Sequence, residues 1–519
     1  MPPSASAARL RFFRNTTFNV SGQVILLFAN LIATPVFFKY LGAEGYGFWA
    51  LVLAFSGTAG GLDMGMSVGL TRAIPDLLGK KDHESLSSIT AAVVFFYLMF
   101  SIVAVAVAIL LGPLLALLFK TGAHGRGELR EVFVFAALIL SISSFAGVTS
   151  AIIQGLSRFD LNSYLTAGSY VIFAVLGTLF LAAGFGLSGL VLAFCIMFAL
   201  QIILGIVVIA RICPQIKPSP RLWFSRRAWA YLITFGSRLQ VSSLSDIFKT
   251  QAPKLLAGAF FGPSAAGVYD LGNRLANAGW ALPVAFLPVI VPTASEANAR
   301  GDTIRLRNLY LQGSKWLLAI ALPLAVCLVL FSKDFLQIWL GGSHDEIAFV
   351  LVCLALANVL HLLTGVGTFI GRGIAKPGAE MKYQLLTLFL YITLVYALLK
   401  EFGFYGIPLG IAVACATGSF YFLVIFSRVV DVPVRLFFRH TVIPPIGFVL
   451  PGLLLVVPLK VALQGYLTPF LTIVIMGGLF IASYLGTVGL WSLRGSGGGP
   501  GRLLADVRAA VLAGRTTGV

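Results

Sequence analysis

The sequence predicts an all-α polytopic membrane protein of about fourteen transmembrane helices: two pseudo-symmetric six-helix lobes plus two extra C-terminal helices. Three observations predict it: composition, the asymmetry of basic residues between loops, and an internal repeat. Of 519 residues, 58% are hydrophobic and only 11% charged, with mean hydropathy +0.95. A water-soluble chain of this size needs far more charge to coat its surface. The solvent is therefore a bilayer, in which only helices or closed barrels satisfy the backbone. The apolar runs are too long for barrel strands of about 9–11 residues and long enough for helices of roughly 20.

Apolar segments between polar breaks give fourteen predicted spans: 17–39, 45–67, 87–112, 131–154, 161–184, 187–210, 229–260, 265–291, 316–340, 347–370, 383–400, 404–427, 441–459 and 467–491. The implied organisation is an N-terminus (1–16), an N-lobe (17–210, spans 1–6), a linker (211–228) and a C-lobe (229–427, spans 7–12). Spans 13 and 14 (441–491) and a tail (492–519) complete it. The first apolar stretch is too long for a signal-peptide core and reads as the first span.

With the N-terminus in the cytoplasm, Lys and Arg number 26 on the cytoplasmic side and 7 outside. Lys315 is counted here as a cytoplasmic loop residue. Positive charge collects on cytoplasmic loops, so the bias supports both the span count and cytoplasmic termini. It also accounts for the net charge of +18 without a nucleic-acid partner. The five cysteines are scattered, with no CxxC spacing. Neither a disulfide framework nor a metal site is expected.

Three stretches recur after 218–220 residues. Leu41-Gly42-Ala43-Glu44-Gly45-Tyr46-Gly47 corresponds to Phe261-Gly262-Pro263-Ser264-Ala265-Ala266-Gly267, each joining the first two spans of a lobe. Gln154-Gly155-Leu156-Ser157-Arg158 corresponds to Arg372-Gly373-Ile374-Ala375-Lys376, each following a fourth span; Phe119-Lys120-Thr121-Gly122 weakly matches Trp339-Leu340-Gly341. An offset of six helices restores the same orientation, so the halves are parallel repeats. Two such lobes with a cleft between them would suit alternating access.

Ionisable groups inside a bilayer cost at least ~2.5–3.5 kcal/mol each on insertion scales and are candidate functional residues. Span 1 carries Asn19, Gln23 and Asn30, which fall within about 40° on one stripe at 100° per residue. The equivalent stripe of span 7 is Arg238, Ser242 and Lys249, with Asp246 beside it. Span 8 carries Asp270, Asn273, Arg274 and Asn277. With Lys254, spans 7 and 8 hold four cations against two aspartates, a surplus suited to a multiply charged anion such as a pyrophosphate. The alternative is structural: Asp246 with Lys249 and Asp270 with Arg274 have intrahelical pairing spacing, and Lys254 and Arg238 could snorkel. Asp63 could titrate or pair with Arg72. His361 shares a face with Asn358 and Thr364, and reads as a core residue or a proton carrier. Tyr46, Trp49, Trp316 and Trp339 lie near span ends and are expected in interfacial belts.

Tyr40-Leu41-Gly42 with Tyr46-Gly47, Leu62-Asp63-Met64-Gly65, Gln154-Gly155 with Arg158, Pro292 with Ala294-Ser295-Glu296, Gly301-Asp302, and Trp339-Leu340-Gly341 occur in an order that carries a resemblance. Over roughly residues 10–430 the chain resembles the polysaccharide transporter family, the flippases of lipid-linked oligosaccharides and O-antigen units, in the multidrug/oligosaccharidyl-lipid/polysaccharide exporter superfamily. The resemblance implies translocation of an undecaprenyl-diphosphate-linked oligosaccharide to the outer leaflet of a bacterial or archaeal cytoplasmic membrane. It implies membrane lipids and that glycan as partners, with a polysaccharide polymerase or glycosyltransferases as further candidates. No cofactor is expected; with no nucleotide-binding motif, a proton or sodium gradient is the expected driving force, with Asp63, Asp246 and Asp270 as titratable candidates. The substrate-binding candidates are Arg238, Lys249, Arg274, Lys254, Asn19, Gln23, Asn30, Asn273 and Asn277. The uncharged stripe of span 1 departs from a strongly basic pattern. Rival readings are a peptidoglycan lipid-precursor flippase, a cation-coupled exporter of the same superfamily, and a membrane glycosyltransferase or polymerase. The enzyme reading is disfavoured by short outer loops and by the absence of DxD, HExxH and Walker motifs.

Overall fold

The apolar stretches fold as helices. The computed structural model describes residues 5–61, 65–116, 119, 123–234, 247, 249–376 and 378–493; among these, all regular structure is helical. The helices are α1 (Ala5–Gly60), α2 (Met66–Gly79), α3 (His83–Ala116), α4 (Ala123–Gly155), α5 (Phe159–Ala182), α6 (Gly186–Ile212), α7 (Ala252–Phe261) and α8 (Pro263–Val284). They continue as α9 (Ile290–Ala299), α10 (Thr303–Leu330), α11 (Ser332–Leu340), α12 (Asp345–Gly373), α13 (Gly378–Phe402), α14 (Gly406–Val429), α15 (Ile443–Ala462) and α16 (Pro469–Leu493).

Eleven stretches among the described residues are long and apolar enough to cross a membrane. Two of them hold two spans each. Gly22–Gly60 has 39 residues, roughly twice what a ~30 Å hydrocarbon core requires at 1.5 Å per residue. It breaks at Gly42 (φ 70°, ψ −178°), a backbone conformation that a side chain would strain. Gly378–Val429 has 52 residues and breaks in the tight turn Gly403–Tyr405. Span 229–260 lies partly outside the described residues, so the expected fourteen is consistent with this architecture.

The chain divides into two compact units, Met1–Leu271 and Gly272–Val519. The division falls inside α8 rather than in the linker 211–228, because α7 and the start of α8 pack against α1. In the first unit α1 packs on α4 and α5, α3 on α4, and α4 on α6. Its core gathers Met66, Leu70, Ile89, Val93, Ile152 and Leu232. In the second, α13 packs on α14, and α12 on both α14 and α10. Tyr310, Val366, Phe422, Phe426 and Phe437 fill its centre. The two C-terminal helices, α15 and α16, pack on each other and dock on α10 through Phe331, Val449, Val456, Met476 and Phe480.

The repeat is written in the backbone. Gly262 (φ 91°, ψ 173°) ends α7 in nearly the conformation with which Gly42 breaks α1. Ser157 and Ala375 are both left-handed, at φ 58° and 57°. Around them Arg158 N donates to Ile153 O, and Lys376 N to Gly371 O. A Cβ on Gly155 would lie 3.0 Å from Thr71 O, and one on Gly373 would lie 2.7 Å from Val291 O, its repeat equivalent. A fourth correspondence, not read from the sequence, joins residues 76–85 to 296–305. Lys80 pairs with Asp76, and Arg300 with Glu296, at 2.8 Å in both cases. Lys81 and Gly301 are left-handed, at φ 58° and 67°. Asp82 accepts from Ser85 N (2.9 Å), as Asp302 does from Arg305 N (2.8 Å). The Ser85 backbone N–H holds the Asp82 carboxyl below its ordinary range. Asp302→Ala, which removes the cap of α10, is expected to lower stability in detergent by about 1 kcal/mol, measured by unfolding.

Two expectations are corrected. Tyr46 and Trp49 are not interfacial: they are 0% and 2% exposed. The helix resumes after Gly42 with this face turned inward, so Trp49 packs on Phe173 and Phe194. Lys315 is not a loop residue. α10 already begins at Thr303 behind its Asp302 cap, which draws Lys315 into the helix. There it is buried, its ammonium 4.7 Å from the Trp491 ring centre. Trp316 packs 6.3 Å from the same ring.

Candidate functional site

In the first unit, glycines let one helix pair approach closely. Gly57 on α1 and Gly61 just past its end stand four apart, with Gly61 N donating to Gly57 O, so they share a face, and an added Cβ at either would collide with Gln251 or Ile247. Gly47 lies against the Pro263 carbonyl, while Gly267, its repeat equivalent, lies against Gly47 and Ala43 O. Close backbone approach here brings α1, α7 and α8 together and sets the register of their polar side chains.

That register buries an ionic cluster. Lys254 on α7 meets Asp270 on α8, with Nζ 2.7 Å from Oδ1. Tyr46 on α1 donates its hydroxyl to Asp270 Oδ2 at 3.0 Å. Lys254 is 8% exposed, Asp270 1% and Tyr46 0%. The carboxylate thus has a donor on each oxygen, which compensates part of the cost of burying it.

The other candidates divide. Lys254 and Asp270 are brought together, as are Asn273 and Asn277, whose side chains hydrogen bond at 3.1 Å. Lys249 and Arg274 are half-buried. Asn30 donates to Leu26 O at 2.9 Å, and Gln23 is exposed. Arg238, Ser242, Asp246 and Asp63 lie outside the described residues, as does the side chain of Asn19. The i, i+4 spacing of Asp270 and Arg274 suits an intrahelical pair, and the carboxylate is also held from α7 and α1. Tyr46 was missed because its position near a span end has an ordinary interfacial explanation. The pair Gly57/Gly61 was the available signal that α1 has a tightly packed partner. His361 lies 5.5 Å from the Trp280 ring and 6.1 Å from that of Tyr383, and Thr364 donates to its carbonyl. Among the described residues no cluster of His, Cys, Asp and Glu could hold a metal ion.

Comparison with known proteins gives a consistent picture. The family described as polysaccharide biosynthesis protein matches residues 37–349. A protein of Shigella flexneri named as an O-antigen transporter is 20% identical over 408 residues, covering 76% of this chain and 93% of that protein. A protein of Haloferax volcanii named as a low-salt glycan biosynthesis flippase is 20% identical over 191 residues, 36% of this chain and 40% of that protein. Among solved structures, an inward closed conformation of the lipid II flippase MurJ superposes with TM-score 0.66 at 15% identity. That match covers 94% of this chain and 98% of MurJ. An inward-facing multidrug transporter of the MATE family gives 0.64 at 17% identity, covering 78% and 94%. At such identities the structural likeness establishes the fold.

Proposed function

Because the chain belongs to the polysaccharide biosynthesis protein family, as a polysaccharide transporter with the fold of the multidrug/oligosaccharidyl-lipid/polysaccharide exporter superfamily, we propose that it flips an undecaprenyl-diphosphate-linked oligosaccharide from the inner to the outer leaflet of the cytoplasmic membrane. It is a multi-pass membrane transporter acting in glycan biosynthesis, not an enzyme. The observation that carries the substrate reading is the near full-length match to the O-antigen transporter. The repeat supports alternating access as the mechanism. The bias of basic residues supports cytoplasmic termini.

In this reading Lys249 and Arg274 supply charge-assisted donors that replace water around the diphosphate as it leaves solution. A proton or sodium gradient drives turnover through Asp270, whose occupancy sets whether Lys254 is neutralised within the protein. Glycosyltransferases or a polymerase act before and after the flip.

The test is export of surface polysaccharide in a strain lacking the transporter. Lys249→Ala and Arg274→Ala, at normal protein level, are each expected to lose about one to two decades of substrate affinity, from contacts of roughly 1.5–3 kcal/mol. Full export by the well-expressed double variant refutes the assignment of these residues. Direct flipping of undecaprenyl-diphosphate-linked sugar by proteoliposomes tests the substrate itself; failure there, with export retained, overturns the carrier assignment.

A further inference from the structure

A cavity of about 630 Å³ opens where α11, the end of α15 and the start of α16 converge in the second unit. Its wall combines polar residues (Lys333, Asp334, Gln337, Lys460 and Gln464) with apolar ones such as Val457, Val461 and Met476. The cavity sits at helix ends, after the last residue of α10 and across the turn between α15 and α16. The opposite end of α10 carries Arg305 and Arg307. Such a position is the boundary between hydrocarbon and water, the level of lipid headgroups.

Its polar groups are unevenly used. Lys460 is committed: it donates to Leu330 O and to Asp334 Oδ2, both at 2.6 Å, so it caps α10 and anchors α11. Asp334 Oδ1 accepts no hydrogen bond among the described residues. The amides of Gln337 and Gln464 make no side-chain hydrogen bond among them either. Lys333 holds Asp345 at 2.7 Å and keeps two further N–H donors, its side chain 73% exposed. The cavity thus offers unused donors on Lys333 and two amides beside an unused carboxylate oxygen. Next to it the outer faces of α15 and α16 are apolar and uncovered: Leu454 is 75% exposed, Val461 67% and Phe470 63%.

We propose that this cavity binds the headgroup of a zwitterionic phospholipid bearing a primary ammonium, with acyl chains lying along α15 and α16. The phosphodiester takes donors from Lys333, Gln337 and Gln464; the ammonium takes Asp334 Oδ1. Lys333 is paired with Asp345 and Lys460 with Asp334, so the wall is net neutral and suits a headgroup that carries its own cation beside a singly charged phosphodiester. A diphosphate would be left short of positive charge, because both lysines already face an aspartate. The bound lipid fastens α15 and α16, which lie outside the repeat, to the end of α10. A ligand that binds only the folded form raises its stability by mass action.

The test uses the full chain, purified and delipidated in detergent. Thermal unfolding and native mass spectrometry are followed with added dioleoyl phosphatidylethanolamine, phosphatidylcholine, phosphatidylglycerol or undecaprenyl diphosphate. Phosphatidylethanolamine is expected to raise the midpoint most. In Lys333→Gln/Gln337→Leu/Gln464→Leu that shift should vanish and apparent affinity should fall at least tenfold, while the lipid-free midpoint stays as in the parent. Lys460 is left in place because its loss would uncap α10. Equal stabilisation by all four lipids, retention of the shift by the variant, or selective binding of undecaprenyl diphosphate at these residues overturns the proposal. Export is not a readout here, so the outcome is independent of the transport assignment.

Discussion

Lys254→Met is expected to lower stability by about 3–5 kcal/mol, because it removes the cation paired with an Asp270 carboxylate that is 1% exposed. Asp270→Leu should cost a similar amount by stranding Lys254. Exposed ion pairs are worth a fraction of this, so Lys80→Met should barely register: its partner Asp76 is more than half exposed. Removing both charges is a different experiment. Lys254→Met/Asp270→Leu deletes the desolvation cost together with the attraction and should recover most of the lost stability, with Tyr46→Phe added to avoid an unpaired hydroxyl. Unfolding in mixed micelles measures each variant, and export separates structure from function. A stable neutral triple variant that exports normally would show the cluster to be packing alone and remove Asp270 as the coupling group. A stable variant without export would place coupling there.

Gly47→Ala is the second large effect. An added methyl would lie 2.9 Å from Ser264 N and closer still to the Pro263 carbonyl, so both obstacles are backbone at the head of α8. A flexible side chain could swing aside, but a helix start cannot. The cost should exceed the usual ~1–3 kcal/mol for overpacking. It should be accompanied by loss of the Tyr46–Asp270 hydrogen bond, since Tyr46 adjoins Gly47 and Asp270 lies one turn beyond Gly267, which also packs on Gly47. Gly168→Ala supplies the control. It lies in α5 with nothing within 4 Å of its would-be Cβ, and should gain about 0.5–1 kcal/mol from reduced backbone entropy. Equal destabilisation by both substitutions would deny the close approach.

The sequence by itself determined the solvent, the secondary structure and the repeat. Composition excluded water as the medium, and a bilayer leaves an apolar chain of this length little choice but helices. The matches at Gly42/Gly262 and at Ser157/Ala375 were legible because a left-handed or strained backbone leaves a local signature that survives when side chains change. The equivalent turns at Lys81 and Gly301 escaped for the opposite reason: one uses lysine where the other uses glycine, and only the backbone angle and the shared aspartate cap reveal them. Individual charges in spans 7 and 8 were also plain, because ionisable residues are rare in apolar runs.

Tertiary structure alone decided what those charges do. Helical spacing offered Asp270 a partner on its own helix, four residues away. Its oxygens also meet Lys254 and Tyr46, which lie 16 and 224 positions distant in the chain. Nothing local distinguishes a lysine that snorkels from one that reaches a carboxylate on the next helix. The choice follows from how closely the helices approach, which Gly47, Gly57 and Gly61 set. The same holds for Lys315, where periodicity could not tell a loop cation from one enclosed by Trp316 and Trp491, because the second indole arrives from a helix that begins more than 150 residues later. Periodicity reports which face of a helix is apolar; which neighbour covers a polar group on it is a property of three-dimensional packing.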